Sequence, residues 1–329
     1  MSDKLYIFTF EPVLKTKIWG GDRIARYKHI ADAGADVGES WEVSAVPGSE
    51  SVVSEGHLAG RTLSTLCAEY GKRLVGTASF ARYGACFPLL VKLIDANSDL
   101  SIQVHPDDSM ARAAGKPFGK TEMWYVIESA PDATIRAGFN RNTSRAEVEK
   151  RVSDLTLLDV VNNFPSRPGE FFYLPAGCIH AIGAGNFLLE IQQSIDLTYR
   201  VYDYDRIGKD GQRRPLQLQE ALAALNYDYN PVCAPIGLSA NSAEDETVVC
   251  CPYFQVSRLL IDGVTQLPPS PGSFRIFVCT EGSVTFEVPE TGTSEAQTLT
   301  LPAGSSALVP AEMPEIRVSG RGTVLLAGL

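Results

Sequence analysis

Gly169-Glu-Phe-Phe-Tyr-Leu-Pro175-Ala-Gly-Cys-Ile-His180 aligns without gaps on Gly304-Ser-Ser-Ala-Leu-Val-Pro310-Ala-Glu-Met-Pro-Glu315. Glycine, proline and the residue after proline coincide. Upstream, EMWYVIES (122–129) lies beside FRIFVCTE (274–281), which sets Glu122 against Phe274 and His180 against Glu315. A duplicated β unit follows, whose second copy lacks the polar residues of the first.

Outward from that stretch the chain reads as short strands. LYIFTFEP (5–12), SWEVSAVP (40–47), FPLLVKLIDA (87–96), LSIQVHP (100–106), ATIRAGF (133–139) and NFLLEIQQS (186–194) are rich in β-branched and aromatic residues. Gly, Pro, Asp or Asn bound most of them. SRAEVEKRVSDLTLLDVVNNF (144–164) reads as a helix, with Val148, Val152, Leu155 and Leu158 at three- and four-residue spacing. Ser144 is its N-cap and Glu147 completes a capping box. LQLQEALAALNY (216–227) and TLSTLCAEYGKRLVG (62–76) read as further helices. Residues 231–247, PVCAPIGLSANSAEDET, read as a linker. Beyond it only strand signals recur, as in SFRIFVCTEG (273–282) and QTLTLPAG (297–304), which suits a jelly roll. The predicted fold is mainly β. It has two jelly-roll units, residues 1–235 and 236–329, with a few helices packed on the first.

The 329 residues are 44% hydrophobic and 21% charged, an ordinary globular composition. A net charge of −10 argues against nucleic-acid binding, which needs basic surface to meet phosphate. No apolar run of about 18 residues suggests a membrane span. The opening segment is too short in apolar residues for a secretory signal, so the cytoplasm is the expected compartment. Seven cysteines without a C-x-x-C spacing read as reduced, mostly buried thiols. The oligomeric state is not legible.

The chain has four histidines, at 29, 57, 105 and 180. His29 and His57 sit in polar, loop-like sequence. In SIQVHPDD (101–108), alternation places Ser101, Gln103 and His105 on one strand face and Ile102 and Val104 on the other. That polar face lies among apolar strands, and buried polar groups need partners. A metal satisfies imidazole and amide oxygen together. Glu122 opens a strand, and His180 follows the turn at Pro175 and Gly177. Antiparallel strands bring two donors from one strand, one from its neighbour and one from across the barrel to a common point. Imidazole and carboxylate suit zinc at about 2.0–2.2 Å, which requires the two imidazoles to lie within about 6 Å.

GEFFYLPAGCIH fits the second cupin motif, G-x5-P-x-G-x2-H. The first cupin motif usually has two histidines flanking one residue and a glutamate close behind. Here Gln103 replaces the first histidine and Glu122 follows His105 by 17 residues. LSIQVHPDD, GKTEMWYVIE, LPAGCIHAIGAGNFLLEIQQ and DLTYRVYDYDR together resemble the class I mannose-6-phosphate isomerases of short bacterial type. KIWGGDRI and GESWEVSAVPGSES resemble the same family, and the likeness spans about residues 5–230. The resemblance implies two cupin-like units and one zinc ion held by Gln103, His105, Glu122 and His180. It implies a catalytic arginine, Arg200, and a cavity lysine, Lys120. Ser101, Lys92 and Glu190 correspond to further cavity positions. The helical insertion of eukaryotic members between Glu122 and His180 is missing.

The implied reaction moves a proton between C1 and C2 of mannose 6-phosphate or fructose 6-phosphate through an enediol. Zinc stabilises charge on the carbonyl oxygen. Glu190 and Lys120 are the candidate bases, and a lysine beside zinc is pushed toward its neutral form. Arg200 binds phosphate or enediolate oxygens. Two other readings remain: an iron-dependent cupin oxygenase, and a sugar-phosphate-binding cupin without catalysis. No glycine-rich nucleotide loop accompanies them.

Overall fold

The computed structural model describes residues 4–31, 34–208, 211–237 and 246–329. The strand alternation read from the sequence becomes two facing antiparallel sheets. One runs, edge to edge, Phe171–Leu174, Glu122–Ser129, Asn186–Gln193, Leu89–Ala96, Val37–Val43 and Val13–Gly21. The other runs Tyr199–Tyr202, Ile102–Val104, His180–Ile182, Thr134–Phe139 and Val161–Pro165.

Period-two patterning sorts the side chains into layers. Met123, Tyr125, Leu89, Val91, Phe187 and Leu189 point outward from the six-stranded sheet into a core shared with the C-terminal residues. Trp124, Val126, Ile94 and Leu188 point inward and meet Ile135, Ala137 and Ile182 of the facing sheet. Ile102, Val104 and Val201 point to the far side of the five-stranded sheet, against Val148, Val152, Ala221 and Leu222. The helices Arg145–Ser153 and Leu218–Ala224 supply those last four residues. Each such fully buried aliphatic side chain contributes about 1.5–3 kcal/mol.

The helix at 144 is shorter than its spacing suggests. Ser144 does cap it, accepting from the Glu147 N–H at 3.2 Å. The Glu147 carboxylate accepts from Arg141, Arg151 and Thr143, so the reciprocal half of the predicted capping box is replaced by ion pairs. The helix stops at Ser153; Leu155 adopts φ 59° and is 60% exposed, not part of a buried stripe. Val161–Pro165 leaves the helical pattern to complete the five-stranded sheet, where β-branched residues pack better. Residues 62–76 also divide, at Gly71 with φ 46°. The predicted linker enters a 3-10 turn, Pro231–Cys233, and ends in the strand Glu246–Cys250; its residues 238–245 lie outside the described residues.

The C-terminal sheet is ordered Glu246–Cys250, Gln255–Leu267, Ile316–Gly328, Arg275–Val288 and Gln297–Pro302, with Ser306–Val309 also paired to Arg275–Val288. Its three long strands cross at Gly263, Gly282, Gly320 and Gly322. A Cβ at Gly282 would lie 2.1 Å from the Arg321 carbonyl oxygen, so the backbones approach too closely there for any side chain. The opening segment closes onto this sheet. Leu5 N–H donates to Thr293 O, and Phe8 exchanges both backbone bonds with Leu308.

The repeat is visible in backbone bonds. Gly169 and Gly304 have φ 88° and 85°. Gly169 N–H donates to Val126 O as Gly304 N–H does to Cys279 O, both at 2.9 Å. Leu174 pairs with Glu122, and Val309 pairs with Arg275. The counterpart of Glu122 is therefore Arg275, not Phe274. The aromatic match that suggested Phe274 slipped by one residue, which in a strand exchanges the two faces.

Candidate active site

The site forms from two rows of side chains, one on each facing sheet. In the five-stranded sheet, Gln103 pairs in register with His180 on one side and Arg200 on the other. Residues opposite one another in adjacent strands project to the same face. His105 follows two residues after Gln103, on that face. In the six-stranded sheet, Trp124, Glu190, Lys92 and Trp41 pair in register across four strands. Glu122 is one pleat away, paired with Gln192 and Leu174.

Backbone bonds lock the turns that carry the imidazoles. Cys178 N–H closes the turn onto Pro175 O, with Gly177 at φ 85°. Gly177 N–H donates to His105 O at 3.0 Å, and Lys120 N–H donates to Pro106 O. One turn thus ties the two histidine loops together.

His105, Glu122 and His180 bring their ligand atoms within 4.8 Å of one another, and all three are buried. The imidazole centroids are 4.8 Å apart, inside the limit that a shared metal imposes. His105 Nδ1 donates to Leu197 O at 3.0 Å and His180 Nδ1 to Cys178 O at 2.9 Å. A carbonyl only accepts, so each Nδ1 carries the proton and each Nε2 presents a lone pair. Burial, then Lys120, holds His105 well below its usual pKa and pushes His180 down to about 3, so both rings are neutral. Their contacts of 3.5 and 3.2 Å with Glu122 are therefore not ion pairs. Burial and the neighbouring Glu190 raise the Glu122 carboxyl, against the pull of Lys120.

Lys120 Nζ donates to His105 Nε2 at 2.9 Å and to Glu122 Oε2, and stands 3.7 Å from Glu190 Oε1. Two further ligand atoms, Glu122 Oε1 and His180 Nε2, are buried without a hydrogen-bond partner among the described residues. Such groups are costly in a protein interior. A divalent cation satisfies both, so the donor set fits a metal.

The cluster borders a cavity of about 400 Å³, lined among others by Ser101, Gln103, Lys92, Lys120, Glu190 and Arg200. His105, Glu122 and His180 lie behind this lining, joined to it through Lys120, which contacts His105 and Glu122. Glu190 is fully engaged: Oε1 accepts from Lys92 at 2.8 Å and Oε2 from Trp124 Nε1 at 2.9 Å. The two lysines overcome the opposing effect of burial and draw its carboxyl down to about 2. Among the described residues, Arg200 Nη1 donates to Gln217 at 3.5 Å and its Nε is buried without a partner. Burial lowers its pKa. Lys17, Trp19, Glu39, Asp196 and Arg214 also line the cavity and were not read from the sequence. Glu39 and Trp41 alternate within GESWEV and are joined by a 2.8 Å bond, a signal that was available. Arg214 lies in a loop with no pattern, held by Asp203.

A model for the catalytic domain of type I phosphomannose isomerase matches residues 7–133. The probable mannose-6-phosphate isomerase GmuF of Bacillus subtilis is 38% identical, covering 78% of this chain and 81% of that protein. The mannose-6-phosphate isomerase of Streptococcus mutans is 35% identical over 81% of this chain and 82% of its own length. The crystal structure of the mannose 6-phosphate isomerase from Bacillus subtilis shares 30% identity and a TM-score of 0.85, covering 99% of this chain and 100% of that one. Site, fold and kinship agree: the chain belongs to the type I phosphomannose isomerase family.

Proposed function

We propose that this protein interconverts mannose 6-phosphate and fructose 6-phosphate through an enediol, with one zinc ion held by Gln103, His105, Glu122 and His180. The observation that carries the reading is a buried His-Glu-His cluster with two unpaired ligand atoms, opening on a cation-lined cavity. Two imidazole nitrogens, a carboxylate and an amide oxygen suit zinc. When bound, the ion supplies a Lewis acid to a substrate oxygen that gains negative charge.

The remaining work falls to side chains. A cavity of about 400 Å³ is of the size that holds a small phosphorylated sugar. Arg200, beside Gln103 and free along most of its guanidinium, binds phosphate or enediolate oxygens. Ser101 offers a hydroxyl to the sugar. Lys120 Nζ takes the proton from C2 and returns it at C1. Glu190 is the weaker base, because its carboxyl is drawn down to about 2 and both oxygens already accept bonds. Its role is to anchor Lys92 and Trp124. Residues 1–235 form the catalytic unit and 236–329 its support.

The test is a coupled assay on mannose 6-phosphate before and after chelation. Activity should vanish with the metal and return with zinc, at one zinc per chain. Turnover that survives complete metal removal would overturn the reading, as would a protein that turns over no hexose phosphate.

A further inference from the structure

Cys178 and Cys233 are 55 residues apart in sequence and meet in the fold. Their sulfur atoms lie 2.8 Å apart, where a disulfide bond is about 2.05 Å. Both are free thiols, 6% and 1% exposed. Cys178 closes the Pro175 turn, and its carbonyl accepts from His180 Nδ1. Cys233 ends the 3-10 turn Pro231–Cys233, capped by Asn230. A small cavity lined by both cysteines also borders the exposed Asp228.

We propose that Cys178 and Cys233 form a reversible, peroxide-driven disulfide that displaces His180 through the Cys178 carbonyl. The Cys233 thiolate attacks one oxygen of hydrogen peroxide. The O–O bond breaks, leaving a sulfenic acid on Cys233, and the departing hydroxide takes a proton to become water. Cys178 loses its proton and attacks the Cys233 sulfur. The S–O bond breaks and a second water leaves. Two thiols give up two electrons in all, and one peroxide becomes two waters. A dithiol reductant reverses the step. Shortening the S···S contact pulls the peptide that orients His180. It also pulls the turn whose Gly177 N–H holds His105 O. Metal-ligating imidazoles depend on such partners for their aim.

The switch rests on the proposed function only where activity is read, so the experiment has three arms. Full-length protein is treated with stoichiometric hydrogen peroxide and mapped under non-reducing conditions. A Cys178–Cys233 cross-linked peptide should dominate and disappear with dithiothreitol. If it does not form, the proposal falls. Nitrogen NMR of the four histidines then reads the ring bond directly. The His180 Nδ1–H signal should move on cross-linking while that of His57 stays; an unmoved His180 overturns the switch even if no isomerase activity is found. Turnover should fall tenfold or more, as small displacements of a catalytic group can cause, and recover on reduction. Cys233→Ser should keep basal turnover and lose reversible inactivation. Reversible inactivation that persists in C233S assigns the effect elsewhere and refutes the proposal. Should C233S not fold, the cross-link and the NMR shift in the unaltered protein decide alone.

Discussion

The antiparallel pair of Glu122–Ser129 with Phe171–Leu174 and that of Arg275–Val288 with Ser306–Val309 follow one diagram of backbone bonds. Each has a left-handed glycine, an equivalent glycine N–H bond back to the partner strand, and the same turn closed onto a proline carbonyl. Their chemistry differs completely. In the first, the terminal pair presents Glu122 to two imidazoles. In the second, the matching position holds Arg275, whose guanidinium donates to Pro268 O and rests on Phe277. The comparison teaches that the strand pairing sets where a side chain points, and a handful of residues decides whether that direction means a metal centre or a structural contact.

The contrast can be broken most severely at Glu122. Glu122→Gln keeps shape and loses charge, and should lower isomerase turnover by roughly 10²–10³-fold, the scale of removing one electrostatic contact to the transition state. Bound metal, measured by elemental analysis, should fall with it. Full activity in that variant would make the two strand pairs equivalent after all.

The next effect lies in the ladder behind the site. Lys92 and Glu190 form a buried pair, and Lys92 also sits 5.3 Å from the Trp41 ring. Lys92→Met strands one charge and should cost about 3 kcal/mol in urea unfolding. The pH dependence supplies the sign. Glu190 has an ordinary value of 4.5 and is drawn to about 2 in the fold. Its stabilising contribution is therefore fully present above 4.5 and is lost as pH falls toward 2. In Lys92→Met that acid limb should move to higher pH. A limb that stays put would mean Lys92 does little to hold the carboxylate.

Arg275→Ala is the smallest perturbation. Turnover should stay within about twofold, in line with substitutions away from a site. A larger loss would show that the second strand pair still serves the first.

Much of this site was legible because alternation is a strong signal. SIQVH puts Gln103 and His105 on one face whatever the strand pairs with. What the sequence hid depended on pairing between distant segments. Trp124, Glu190 and Lys92 are each plain within their own strands, and only the register joins them. Cys178 and Cys233 looked unrelated because no local pattern spans 55 residues. The slip from Arg275 to Phe274 has the same origin: similarity of apolar residues does not fix parity, and hydrogen bonds do. Leu155 failed for another reason. Its helical spacing continued on paper, while the chain after it turned through Leu157–Val160 and joined a sheet from Val161 on.

The bonds from Leu5 and Phe8 to Thr293 and Leu308 carry a consequence for biosynthesis. Thr293 and Leu308 follow Leu5 and Phe8 by 288 and 300 residues, so these partners meet only after that intervening chain has been made. Contacts of such long sequence separation form slowly. An early, buried Phe8 must therefore be shielded while translation continues. Slowing the ribosome late in the message should lengthen the nascent chain's association with chaperones, and deleting residues 5–8 should remove that dependence at the expense of the C-terminal sheet.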